Sequence, residues 1–379
     1  MTTYTTSTTR MTGAAVGFAA VVCAVARLLV SGDGFDRVWA EDGAVFLSDT
    51  RAYGLGSVVA EYSGYGHLVP RLLALIGSWL PLGYYALFTV LASSIVVGLL
   101  AWYVFTAAKR VTSSSVWAFI AAIALVLTPA YRAEALGNLA NLQWFLMPAA
   151  LWAIVDPHRT HVAAILIAAA AATTSPLSIL LLPALLIIHG RTAWRTPVAA
   201  ALAAGLAYQA IVRLIGMHSV ANPAPRSPGA YVGMVFDILK QASSTPWAPL
   251  VAGAILIAVI LSAWFIGARK DARAAAFVVT SALFVAVPTV LNGSPQPRYI
   301  ACGFVILIWA ACLAAPALQR IHAIVLATVL VVSALVTFPA DPYRLSGPSW
   351  TSETNSACTT GTREVELSPE GWGSIRLPC

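Results

Sequence analysis

TGAAVGFAAVVCAVARLLV, residues 12–30, is followed about ten residues later by WAEDG, residues 39–43, and this pair of stretches decides the fold. The first is apolar on every side and about as long as a helix must be to cross the hydrocarbon core of a bilayer. The second sets Glu41 and Asp42 side by side just beyond it, in a chain where only 10% of residues are charged. A carboxylate at the edge of lipid is costly unless it is solvated, paired or used, so this placement marks a candidate site.

Outward from there the first pattern repeats. Hydrophobic residues make up 59% of the chain and mean hydropathy is +0.81. Apolar runs of about 15 to 25 residues exclude a soluble globule. They lack the alternation of a membrane barrel, which leaves helices, whose backbone groups are satisfied internally. The prediction is an all-α polytopic membrane protein with about eleven transmembrane helices, near 12–31, 83–108, 115–131, 142–155, 162–174, 176–189, 197–214, 248–268, 274–291, 299–318 and 321–338. The fifth and sixth runs are short enough to be half-helices meeting at Ser175-Pro176. The first is too long for a signal-peptide core and reads as a retained helix. This divides the chain into a transmembrane domain, 1–338, whose first outer loop is 32–82, and a small tail, 339–379.

Basic residues set the orientation. Lys109-Arg110, Arg159, Arg191, Arg195, Arg269-Lys270, Arg273 and Arg320 fall on one side, and Arg132 and Arg298 on the other. The richer side is predicted to be cytoplasmic, giving a multi-pass cell-membrane protein with its N-terminus inside and its tail outside. The net charge of +7 is then loop charge between apolar helices and does not point to nucleic acid. Of the 15 acidic residues, only Asp156 and Asp271 lie inside.

The polar chemistry therefore gathers outside. Segment 32–82 holds pieces too short to span and too apolar to float free, which predicts two helices along the outer interface near Glu41, Asp42, His67 and Arg71. The next outer turn packs Arg132, Glu134, Asn138, Asn141, Gln143 and Trp144 together. Amides and a flat aromatic face suit carbohydrate, while the plainer reading is helix capping by Asn and a headgroup-level Trp. Arg298, opening the tenth helix with Tyr299, can anchor to headgroups or hold a phosphate. The long 215–247 loop has the length of a lid.

In the tail, Val365 and Leu367 alternate with charges before a turn at 368–371 and the apolar Trp372, Ile375 and Leu377, which predicts a strand pair. Cys358 and Cys379, in an oxidising compartment, are expected to form a disulfide worth about 3 kcal/mol. Cys23, Cys302 and Cys312 read as small core residues.

This layout resembles the GT-C superfamily of integral-membrane glycosyltransferases. Members carry acids in the first extracytoplasmic loop, as at Glu41-Asp42, and some carry an Arg-Tyr pair opening a late helix, as at Arg298-Tyr299. The composition, rich in alanine, suggests an actinobacterial source. The resemblance implies inverting transfer of a sugar from a polyprenyl-phosphate donor to a glycan or lipid acceptor of the cell envelope. Asp42, expected to be exposed to water, would be the general base, with Glu41 orienting the loop or acceptor. Arg298, Arg132, Arg71 and Tyr299 would meet the donor phosphate. His67, Asn138, Asn141, Gln143 and Trp144 would line the substrates. No metal is expected, although two acids leave Mg2+ or Mn2+ as an option. The rivals are a transporter or flippase of lipid-linked substrates, which calls for ionisable groups at mid-membrane and two broken-helix halves, and a non-catalytic assembly subunit.

Overall fold

The polar breaks between apolar runs end helices close to the predicted positions. The computed structural model describes residues 3–30, 34–128, 135–158, 160–216, 271–318, 320–336, 346–360 and 364–376, with a few isolated positions between them. The predicted helix at 248–268, nearly all of the 215–247 loop, Arg132, Glu134, Cys379 and the side chain of Cys358 lie outside the described residues, and the predicted disulfide with them. The chain runs α1 (Thr3–Val30), α2 (Ser48–Tyr53), β1 (Glu61–Tyr62), β2 (Tyr65–Gly66), α3 (Leu68–Gly77), α4 (Tyr85–Thr112), α5 (Ser115–Leu127), α6 (Gln143–Val155), α7 (Val162–Thr174), α8 (Leu182–His189) and α9 (Pro197–Gly216). After these come α10 (Ala272–Asn292), α11 (Pro297–Ala314), α12 (Arg320–Val336), α13 (Trp350–Thr360), β3 (Glu364–Glu366) and β4 (Ser374–Arg376).

This is an all-α membrane protein. Along α4 the side chains of Leu87, Leu91, Ile95 and Leu99 are exposed at a spacing of one turn, an apolar stripe that lipid covers. Exposed Trp79 and Tyr84 lie at one end of the bundle and Trp194 at the other, where amphipathic rings meet headgroups. The expected eleven spans are not matched one for one. Among the described residues five helical stretches are long and apolar enough to cross. By contrast α5, α6 and α7 have 13 residues each, about 20 Å of helix against a core of about 30 Å. The reason is clearest for α6, every residue of which is buried. A helix wrapped by its neighbours has protein, not lipid, beyond its ends, so bilayer thickness does not set its length.

α6 is the axis of the bundle. Its Trp152 meets Phe277 of α10 and Trp309 of α11 edge-on, at 5.3 and 5.8 Å between ring centres. The indole of Trp309 donates 2.7 Å to the Ala121 carbonyl of α5. α1 and α4 cross at backbone contact, because a side chain at either Gly17 or Gly98 would land 2.8 Å from the other's carbonyl oxygen. At its C-terminal end α6 is closed by Asp156, which accepts from Arg110 Nε at 2.9 Å and from the Tyr103 hydroxyl at 3.3 Å.

The other end of α6 meets the loop that follows α1. Two interfacial helices were expected there; the loop holds the two α-helices α2 and α3, with a β-hairpin between them. Glu61 pairs with Gly66 and Tyr62 with Tyr65, across a turn in which Ser63 and Gly64 both have positive φ, 54 and 84°. That is the two-residue geometry whose twist suits a hairpin. In the tail the predicted strand pair is present, with Val365 opposite Ile375, and α13 precedes it.

Candidate functional site

Glu41 and Asp42 sit where a helical turn widens into the π-helical run Asp42–Leu47, a local irregularity often found at sites. Successive helical residues diverge by roughly 100°, and the two acids take different surroundings. Asp42 is fully buried. Its Oδ2 accepts from the Leu139 amide at 2.8 Å and its Oδ1 from the Ala140 amide at 2.9 Å. These amides open the helical run Ala140–Leu142 that leads into α6, where backbone N–H groups have no partner within the helix. Asn138 continues the cap, its Oδ1 accepting from the Asn141 amide at 2.9 Å. The carboxylate expected to face water is therefore the lid on the central helix, placed where the helix dipole favours a negative charge. Asn138, expected against a sugar, caps the run instead, the plainer of the two readings of that amide, and Asn141 is buried beside it.

Glu41 is only partly buried and turns toward the hairpin. Burial, and after it the negative charge of Glu41, raises the Tyr62 phenol above its ordinary range, while the positive charge of Arg298 pulls the other way. Tyr62 is thus within electrostatic reach of an acid from the first loop and a base from the head of α11. Tyr65 is pushed up to about 12, mainly by burial, and its hydroxyl takes a long 3.5 Å bond from Gln143 Nε2. The guanidinium of Arg298 lies 5.5 Å from the centre of the Tyr299 ring, and Tyr299 in turn packs on Trp144 at 5.0 Å. Glu41, Gln143, Trp144, Arg298 and Tyr299 are therefore brought together around Tyr62 and Tyr65.

No family model, curated protein or solved structure matches this chain.

Two residues predicted to meet substrate are instead part of the loop's own framework. Arg71 is 1% exposed. It donates 2.8 Å to Asp49, 3.0 Å to the Ser57 carbonyl and 3.2 Å to the Glu61 carbonyl, and it lies over the Phe46 ring. Its two terminal nitrogens join three parts of one loop and so tie α3 to the turns before it, while Nε has no partner in hydrogen-bond geometry. Arg71→Ala is expected to lower stability by about 2–4 kcal/mol, below the full cost of breaking a buried pair because Asp49 is 25% exposed. An unchanged thermal midpoint would overturn this, as would a loss of donor affinity without a loss of folded protein.

His67, 2% exposed, is packed by Phe46, Tyr62 and Tyr65 at 5.6, 5.5 and 4.2 Å between ring centres. Neither ring nitrogen has a partner in full hydrogen-bond geometry, and the nearby Tyr62 backbone, which favours the protonated ring, is outweighed. Burial first, then the charge of Arg71, push His67 down to about 3, so it is a neutral aromatic spacer at physiological pH. The sign of its linkage follows: below the ordinary histidine pKa of about 6.5 the unfolded chain takes up a proton that the buried ring refuses. Folded stability is expected to fall with pH from about 6.5 toward about 3, at up to about 1.4 kcal/mol per unit. His67→Phe should flatten that slope in pH-dependent melting curves.

Several residues that build the site were not singled out from sequence. Tyr62 feels the charges of both Glu41 and Arg298, and Tyr65 that of Arg298. Asp49 is the partner of Arg71. Gln209, on α9, grips the hairpin through both the Gly66 amide (2.8 Å) and carbonyl (3.1 Å) while bonding the Ala172 carbonyl. The Ser63-Gly64 pair between aromatic residues is a turn signal and was available, whereas a glutamine inside an apolar helix gives no hint of its partner. Among the described residues no three His, Cys, Asp or Glu side chains gather as a metal set.

Proposed function

We propose that the protein is a glycosyltransferase of the GT-C type, set in the cell membrane with its N-terminus inside, which moves a sugar from a polyprenyl-phosphate donor to an extracytoplasmic glycan or lipid acceptor with inversion. Glu41 is the general base and Asp42 holds the helix on which the site stands. The observation that carries the reading is that the hairpin lies within electrostatic reach of Glu41 and Arg298, an acid and a cation from distant parts of the chain, with Arg298 tied toward it through Tyr299, Trp144 and the Gln143–Tyr65 bond. Such a transfer needs both. Glu41 takes the proton of the acceptor hydroxyl as its oxygen bonds to the anomeric carbon, and the bond from that carbon to the phosphate oxygen breaks, its electrons leaving with the polyprenyl phosphate. A base within reach of the proton and a cation beside the departing charge lower that barrier. Arg132 belongs to the proposal as a second phosphate ligand, and lies outside the described residues.

The test is a transfer assay on purified protein with radiolabelled polyprenyl-phosphate sugars. Arg298→Ala is expected to raise the donor KM by about tenfold or more, the worth of a charged hydrogen bond to phosphate, with acceptor KM little changed. Binding or transbilayer movement of the lipid-linked sugar without label reaching any acceptor would replace this reading with that of a transporter.

A further inference from the structure

We infer that the C-terminal segment is a working part of the site, a brace that fixes the direction in which Glu41 is presented, with Asp36 as its positioning residue. The inference rests on the role proposed for Glu41. Its basis is a set of contacts that grip the acidic stretch on both sides. Ahead of it, the Asp36 carbonyl accepts from the Trp350 amide at 2.9 Å. The Asp36 carboxylate accepts from the Thr351 amide at 2.9 Å, the Thr351 hydroxyl at 2.7 Å and the Ser349 hydroxyl. Asp36 thus adds an outside acceptor to the first turn of α13, whose own cap is Ser349 Oγ, accepting from the Ser352 amide at 3.1 Å. Two residues on, the Val38 carbonyl accepts from the Ser368 amide at 3.0 Å, and Trp39 forms an isolated parallel bridge with Ser368.

Behind the acids the grip is steric. A side chain at Gly43 would meet Leu367 Cδ2 at 2.3 Å, so the tail lies directly on the backbone of the turn that follows Asp42. Val38, Leu47, Tyr85, Trp350, Val365 and Leu367 belong to one apolar cluster, distinct from the main core of the bundle. The indole of Trp350 adds a 2.8 Å bond to the Leu82 carbonyl. Asp42 anchors the turn from below through Leu139 and Ala140, the Tyr85 hydroxyl of α4 donates 3.1 Å to the Asp42 carbonyl, and Trp39 and Phe46 pack into the main core, so the tail adds its hold to a turn already seated on the bundle. That hold falls at Val38 and Gly43, on either side of Glu41. Because most of its cluster lies apart from the bundle core, releasing the tail loosens the turn at Val38 and Gly43 while the helices stay folded.

The experiment uses the full chain in nanodiscs, with Asp36→Ala, Asp36→Asn and the double variant Ser349→Ala/Thr351→Val, which removes the hydroxyl donors from the tail side while leaving Asp36 in place. Asp36→Ala is expected to speed hydrogen exchange of the amides around residues 38–47 by about tenfold or more, the worth of hydrogen bonds to a charged group, with exchange in α6 unchanged. In the transfer assay kcat should fall while donor KM holds, and Asp36→Asn, which keeps an acceptor oxygen for Thr351, should recover most of it. The double variant should follow Asp36→Ala in direction, and it decides the matter if Asp36→Ala does not fold. Unchanged exchange in the turn overturns the brace. Faster exchange with kcat intact overturns its role in positioning. A wild-type protein that transfers no sugar sinks the proposed activity instead, and the exchange result still decides whether the tail holds the turn.

Discussion

Glu41→Gln is expected to leave the protein folded and inserted while cutting sugar transfer by about 100- to 10,000-fold, the range that a positioned general base contributes. The amide conserves volume and can still hydrogen-bond, but it cannot accept the proton of the attacking hydroxyl. Glu41 is the acid of the pair whose charge, with that of Arg298, reaches Tyr62, and it is partly exposed where Asp42 is fully buried. The measurement is kcat at saturating donor and acceptor across a pH series. Wild type should lose rate as the base protonates on the acid side, and the residual rate of the variant should be flat there. Transfer close to the wild-type level, or an unchanged acid limb, would take Glu41 out of the chemistry.

Asp42→Ala is expected to act on the fold first, at a cost of about 2–5 kcal/mol, because it leaves two buried amide hydrogens without an acceptor. Those amides belong to Leu139 and Ala140, at the start of the run that becomes the fully buried α6. The lesion therefore enters the core from its axis and not from its rim. Asp42→Asn keeps one acceptor oxygen but turns an N–H toward the second amide, so it too should be destabilised. Thermal unfolding in detergent, read by tryptophan fluorescence, separates the two acids: Glu41→Gln melts with wild type and Asp42→Ala well below it. Were Asp42→Ala to melt with wild type and yet be inactive, the base would be Asp42.

The contrast between the two carboxylates marks how far the chain can be read by eye. Their placement at the end of the first apolar run is plain in the sequence, and so is the importance of that place. Which of the two turns inward is not, because one step along a helix reverses the surroundings and the partner of Asp42 is a pair of backbone amides that look the same at every residue. Arg71 is a parallel case. Its charge near lipid is legible, but its partner Asp49 comes from another turn of the same loop, and only the folded loop spends the guanidinium there. The tail reads as a strand pair from the alternation around Val365, yet its docking on Asp36 and Gly43 depends on two segments about three hundred residues apart meeting, for which a single sequence carries no signal.

Apolar content and its period were enough to determine that this chain lies in a bilayer as helices, since the preference of a long apolar run for lipid, and the need to satisfy its backbone there, belong to the run itself. Tertiary structure alone decided what each polar group does, because the worth of a buried carboxylate or guanidinium lies in the donors and acceptors that other segments bring to it. Asp42 became a cap, Arg71 a tie and His67 a spacer for that reason, and Glu41 was left partly exposed beside the hairpin.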